Sequence, residues 1–312
     1  MINEDKIIQH LQIKSCGFIG DDATVLTHIN NSRYVLTKDL LTEDVHFRTR
    51  YFTPRDLAHK ALHVNLSDLA AMGAEPLYIL CGISVPDTLQ DYASDFLNSL
   101  TISCQEASVI LIGGDTTASK NHLFISITAI GHVQEGNIKH RSTAVRNDFI
   151  CIVGNLGWAH LGFIALEKAF ATDAKYISSF LRPKAKVKEG IWLGRQAAVT
   201  SMMDVSDGLY IDLKRLCVAS NKSACVDIDL LQSVLEHEIS LQVALEGGED
   251  YGLLATINKE SFEKLSNEFT KAFNYNLKVI GHIDDGESII FRQGNQEVDL
   301  SINPFSHFGE KL

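Results

Sequence analysis

The 312-residue sequence has no C-x-x-C pair, no basic stripe and no apolar run of bilayer length. Its six cysteines (Cys16, Cys81, Cys104, Cys151, Cys217 and Cys225) stand singly, some inside apolar runs such as Ile150-Cys151-Ile152. That pattern excludes a zinc ribbon and favours free thiols in a reducing compartment over disulfides. A formal net charge of −11, with Lys184, Lys186 and Lys188 the nearest thing to a basic cluster, argues against a nucleic-acid partner. The start, Met1-Ile2-Asn3-Glu4-Asp5, is acidic and leads into an amphipathic pattern at Ile7, Ile8 and Leu11 rather than a signal peptide. With no spanning stretch either, a cytoplasmic protein without a membrane partner is expected. There is no G-x-x-x-x-G-K-[ST], no G-x-G-x-x-G after a strand and no G-x-S-x-G elbow. Asp204–Gly208 fails as a calcium loop, because Met203 would have to be its first ligand.

What the chain does have is six short acidic clusters, most beside Gly, Ser or Asn where an apolar run stops. They are Gly20-Asp21-Asp22, Lys38-Asp39, Asn65-Leu66-Ser67-Asp68, Gly113-Gly114-Asp115, Asp204-Val205-Ser206-Asp207-Gly208 and Gly247-Gly248-Glu249-Asp250. Each alone reads equally well as a turn or a helix cap. Their recurrence after successive strands favours convergence. Carboxylates gathered at one place repel by about 4 kcal/mol per close pair, so a convergent set needs cations. Mg²⁺ takes oxygen ligands and commonly shares them with substrate phosphate.

Alternating strand-like and helix-like segments predict an α/β (α+β) protein, and the length predicts two domains. Strands are expected near 23–27, 33–38, 76–85, 109–113 and 123–133, then 149–153, 201–205, 223–229, 252–257, 277–283 and 288–292. Thr53-Pro54-Arg55-Asp56 reads as a helix start, with an N-cap, Pro at the first position and an acid in the first turn. Further helices are expected over 89–107, 157–170, 186–199, 209–220 and 259–273. The polar stretch 138–148 marks a division into domains 1–143 and 144–312.

The run from Lys60 to Pro76, K-A-L-H-V-N-L-S-D-L-A-A-M-G-A-E-P, closely resembles the signature of thiamine-monophosphate kinases. Ile19-Gly20-Asp21-Asp22-Ala23, Ile112–Thr117, Val205–Leu209 and Gly247–Tyr251 follow in that family's order, from residue 19 to 308. The resemblance implies a two-domain PurM-like fold, shared with aminoimidazole ribonucleotide and selenophosphate synthetases. It implies an N-terminal domain that dimerises through its sheet and a C-terminal domain that completes the cleft. It also implies ATP-dependent, Mg²⁺-dependent conversion of thiamine monophosphate to thiamine diphosphate by a homodimer, with several Mg²⁺ ions bound.

Carried onto this sequence, the family's metal ligands match Asp21, Thr37, Asp39, Asp68, Asp115, Asp204 and Asp207. Its nucleotide contacts match Gly114, Asp115, Arg141 and Ser206, and its thiamine-phosphate contacts match His46, Glu249 and Phe305. Asp115, Arg141 and Asp207 are the expected catalytic residues. The chain departs from the family at Lys38, Ala118-Ser119-Lys120, Thr143 and Gly252. Strand alternation turns Lys38 away from Thr37 and Asp39, whereas a bend there would set its ammonium among the carboxylates. Two other readings stand beside this one: another ATP-using synthetase of the superfamily, and a non-catalytic nucleotide- or metal-binding relative. Cys16 lacks the Gly-rich setting of a selenophosphate synthetase.

Overall fold

The computed structural model describes residues 21–27 and 32–303. The expected N-terminal helix, Gly20 and Phe305 lie outside the described residues. The first half contains strands β1 (Thr24–Thr27), β2 (Ser32–Thr42), β3 (Glu75–Pro86), β4 (Ile110–Ser119) and β5 (Phe124–Gln134). Helix α1 (Pro54–Ala71) and helix α2 (Gln90–Glu106) cover one face of their sheet. Strand order is β1-β2-β5-β3-β4, antiparallel except for the β3–β4 pair that α2 connects. The alternation of β5 shows why the sheet is two-faced. Ile125, Ile127, Ala129 and Val133 are buried under the helices, while Ser126, Thr128 and His132 point outward.

Helix α1 begins where its sequence says. Thr53 accepts from the Asp56 amide, the Asp56 carboxylate reaches back to the Thr53 amide, and Pro54 takes the first turn. Such a cap stabilises by about 1 kcal/mol. The helix also ties the halves together. Leu57, Leu62 and Leu69 pack under the first sheet, whereas Ala70 and Ala71 pack with Val153, Leu193 and Leu253 of the second half.

That second half holds β6 (Phe149–Val153), α3 (Trp158–Lys168), α4 (Ala174–Leu181), α5 (Val187–Gly194), β7 (Val199–Val205) and α6 (Leu209–Ser220). It continues with β8 (Ser223–Asp227), α7 (Ile228–Ser233), α8 (Leu241–Glu246), β9 (Gly252–Ile257) and α9 (Phe262–Phe273). Strands β10 (Lys278–Asp284), β11 (Ile289–Gln293) and β12 (Gln296–Glu297) complete a sheet of order β12-β11-β8-β10-β6-β9-β7. Helices α4, α7 and α8 were not expected. Each is short, and all three carry side-chain caps (Asp173, Asp227, Ser240) that the sequence offers equally to turns.

Two devices fix the second half, one against α1 and one against the connecting segment. Gly190 of α5 lies so close that a Cβ there would sit 2.2 Å from the Ala70 carbonyl oxygen. In the connecting segment, buried Lys139 donates to the carbonyls of Gln196 and Val199 at 3.0 and 2.8 Å. Among the described residues no helix is long and apolar enough to cross a membrane.

Candidate active site

Between the halves lies a cleft of about 330 Å³, and α1 forms its floor. Lys60, Val64 and Asp68, one stripe of that helix at i, i+4 and i+8, all face it. At the Asp68 end the wall is acidic: Asp39 from β2, Asp204 at the end of β7, and Asp207 and Ser206 in the turn before α6. At the Lys60 end it is mixed, with Glu249 and Phe180 against the lysine and Phe163 and His160 packed beyond them; His46 also lines the cleft.

The acidic end contains a close carboxylate group. Oxygens of Asp22, Asp68 and Asp204 lie within 4.8 Å of one another. Hydrogen bonds fix it. Thr37 Oγ1 donates to Asp68 Oδ2, buried Ser67 donates to Asp204 Oδ2 at 2.7 Å, and Arg141 Nη2 meets Asp22 Oδ1 at 2.8 Å. Buried Asn65 accepts from the Asp39 amide at 3.2 Å. Burial first, then neighbouring carboxylates, push Asp68 and Asp204 well above the usual carboxylate range. The same causes push Asp39 up to about 6, with Asp207 and Asp22 as its neighbours. Asp22 Oδ2 is buried without a donor. Charges at this spacing repel by about 3 kcal/mol per pair at an effective dielectric of 20. An all-oxygen, over-charged group with an unsatisfied oxygen fits a hard divalent cation such as Mg²⁺.

The sequence reading and the structure differ at two members of this set. Asp22, not Asp21, stands in the carboxylate group. Both Asp21 oxygens are taken on the other side, by His140 Nδ1 at 2.6 Å and the Arg141 amide at 2.8 Å. Asp115 is also elsewhere. On edge strand β4 it pairs in register with Gly82, is exposed, and accepts from the Thr116 amide at 2.9 Å. Gly114 beside it packs against β3 so tightly that a Cβ would lie 1.8 Å from the Cys81 carbonyl oxygen. Thr116 and Thr117, farther along β4, line a second cavity of about 510 Å³ with Ile83, Ala93 and Leu97.

The other expected residues fall in or beside the cleft. Thr37, Asp39, Asp68 and Asp204 come together, with Asp207 and Ser206 on the same wall. His46 and Glu249 also line the cleft, and Arg141 stands beside it, paired with Asp22. Lys38 points to the outer face of the sheet, donating to Ser126 Oγ at 2.5 Å and Thr128 Oγ1 at 3.3 Å, so strand alternation holds. Asp250 is a cap: its oxygens accept from the Gly157 and Ala159 amides at 2.6 and 3.1 Å, at the start of α3.

Several contributors were not singled out from the sequence. Asp212, buried, accepts from the Ser206 and Asp207 amides at 3.0 Å each and shapes their turn, while Arg215 bridges it to Asp207. Phe163 and His160 come from α3, where they read as an ordinary amphipathic face. Arg48, Arg50 and Tyr51 all bind Glu167 of α3, at 2.9, 2.6 and 2.7 Å, and close the loop carrying His46 against the second half.

In sequence and fold the chain is similar to known proteins. Residues 20–133 match the family described as AIR synthase related protein, N-terminal domain, and residues 146–293 match its C-terminal domain. The Haemophilus influenzae protein named thiamine-monophosphate kinase is 34% identical, over 94% of this chain and 92% of its own. The thiamine-monophosphate kinase structure from Stenotrophomonas maltophilia is 31% identical, with a TM-score of 0.75 over 95% of this chain and 98% of that one. A structure described as AaThiL complexed with AMPPCP and TMP superposes with a TM-score of 0.82 at 25% identity, covering 98% and 97%. Matched from end to end in sequence and fold, the chain belongs to the thiamine-monophosphate kinase family.

Proposed function

We propose that the chain transfers the γ-phosphoryl group of ATP to the phosphate of thiamine monophosphate, forming thiamine diphosphate and ADP. Family membership supports the reaction, and so does the structural relative that holds both AMPPCP and TMP. The observation in this chain that carries it is the carboxylate group Asp22–Asp68–Asp204 at one end of a cleft whose other end is aromatic and bears Glu249.

The acceptor needs no side-chain base. A phosphate monoester has a second pKa near 6, so at pH 7 it is largely ionised. One of its oxygens attacks the γ-phosphorus, the bond to the β-phosphate oxygen breaks, and ADP leaves with the electron pair. The remaining obstacle is repulsion between two polyanions, so the protein acts by positioning and neutralisation. Asp22, Thr37, Asp39, Asp68, Asp204 and Asp207 would hold Mg²⁺, which supplies positive charge to the phosphates. Arg141 adds fixed positive charge beside Asp22. Ser206, on the turn that Asp212 holds, meets the nucleotide; Gly114 and Asp115 are assigned to it by resemblance alone. Glu249, His46 and the aromatic walls receive the cationic thiazolium and its neighbouring ring, with Phe305 assigned there by resemblance alone.

We further propose a cytoplasmic homodimer of two-domain chains divided at residues 143/144. The outer face of the first sheet exposes Leu26, Leu40 and Leu80 to 39%, 48% and 37%, and its edge exposes Ile112 to 50%. An apolar sheet face of that kind calls for a partner. The reaction is tested by incubating the protein with Mg-ATP and either thiamine monophosphate or free thiamine. Thiamine diphosphate and ADP should appear in equal amounts from the first, with no appreciable phosphorylation of the second. Comparable rates on both would remove the base-free mechanism.

A further inference from the structure

Among the described residues that line the cleft, Lys60 is the only lysine or arginine. It is 1% exposed. Its Nζ lies 2.5 Å from Glu249 Oε2 and 3.4 Å from the Phe180 carbonyl oxygen. The rings of Phe180 and Phe52 flank it, with centres 4.0 and 5.3 Å away. Removing an ammonium from water costs several kcal/mol, and only good pairing offsets it. A side chain needed merely to fill this space would be Leu or Met.

Glu249 gives the charge a purpose. Its backbone is left-handed at φ 71° and is held by its amide donating to the Ser206 carbonyl at 2.6 Å. Its carboxylate shares a cleft with Asp39, Asp68, Asp204 and Asp207. A cation gathered by those residues would draw Glu249 toward itself. Lys60 and Asp68 are eight residues apart on one helical stripe, about 12 Å along the axis.

We infer that Lys60 is a positioning residue, which pairs with Glu249 to hold that carboxylate at the aromatic end of the cleft for the acceptor's cationic ring and away from the cation-binding group. The inference rests on the proposed function, which supplies the cationic acceptor. It predicts a split between substrates. Removing Lys60 should weaken the acceptor's grip and spare ATP, because the nucleotide's phosphates meet the other end.

The test uses full-length Lys60→Met, Lys60→Gln, Glu249→Gln and the Lys60→Met/Glu249→Gln double variant. Steady-state KM is measured for both substrates, and melting for all variants. Thiamine diphosphate formation by the unmodified protein tests the functional reading by itself. The Lys60 assignment is tested by the change relative to that protein. Lys60→Met should raise KM for thiamine monophosphate at least tenfold and leave KM for ATP within twofold, with a smaller rise in Lys60→Gln. In the Glu249→Gln background, Lys60→Met should add no more than twofold. Equal rises in both KM values, additive effects in the double variant, or loss of cooperative melting in both Lys60 variants would each overturn the assignment.

Discussion

Asp68 is held in a conflict that the protein cannot relieve by itself. Burial and the neighbouring Asp39 and Asp204 push its carboxyl upward, while the Thr37 hydroxyl favours the charged form. A carboxyl whose folded pKa is raised contributes stability that is fully present below the unfolded pKa and is lost as pH rises through the folded pKa. Ionised and without metal, the group is therefore a source of strain. Asp68→Asn should lower turnover by about two orders of magnitude or more, the scale of losing one well-placed electrostatic contact. It should also raise the Tm of the chelator-treated protein, by about 2 °C for each kcal/mol relieved. Near-normal turnover in the intact variant would remove Asp68 from the site. Residue-level legibility was uneven for a physical reason. In Gly20-Asp21-Asp22 two adjacent carboxylates face opposite ways, and only the positions of His140 and Arg141 decide which one is occupied. For Thr37-Lys38-Asp39 the strand period decides locally, and it did so correctly.

Elements with strong local signals were legible. The cap at Thr53, the crossover helix α2 and strands β3 and β5 stand within a few residues of their expected ranges, whereas β4 runs six residues past its expected end, through Gly113-Gly114-Asp115, and β2 four. The short helices α4, α7 and α8 were not, because one or two turns carry too little periodicity to distinguish from a loop. Helix α1 also carries a pair that sequence reading passed over. His59 and His63, one turn apart, stack with ring centres 4.1 Å apart. His59 Nε2 meets the Pro183 carbonyl at 2.9 Å, and His63 Nδ1 accepts from the Ala185 amide at 3.3 Å. Burial, then His59 and Lys184, lower His63 to about 3. A histidine lowered in the folded state makes the unfolded chain the better proton binder between about pH 3 and 6.5, so stability is lost as pH falls through that window. Between pH 6.5 and 5 the loss reaches about 2 kcal/mol. His63→Gln, which keeps an acceptor for Ala185, should show a shallower fall of Tm from pH 7 to 5. Parallel curves for the two proteins would place the acid sensitivity elsewhere.

The whole molecule has a helix-covered face, a cleft face and an open sheet face. Leu80, on that open face, is more than a third exposed. Leu80→Glu should therefore shift the protein from dimer to monomer in light scattering while leaving its circular dichroism unchanged. A monomeric unmodified protein would dispose of the dimer. Within one chain the halves are joined through α1, and this explains a property of the sequence itself. Twelve of the eighteen residues of that helix are buried. Leu57, Leu62 and Leu69 serve the first sheet, Ala70 must admit Gly190, Ser67 serves Asp204, Asn65 serves Asp39, and Lys60 and Asp68 face the cleft. No side of the helix is left to water alone. A stretch under four simultaneous constraints has almost no neutral substitutions open to it. In a library of single replacements it should be the least tolerant segment of the chain, which is why its wording identified the family more sharply than any carboxylate did.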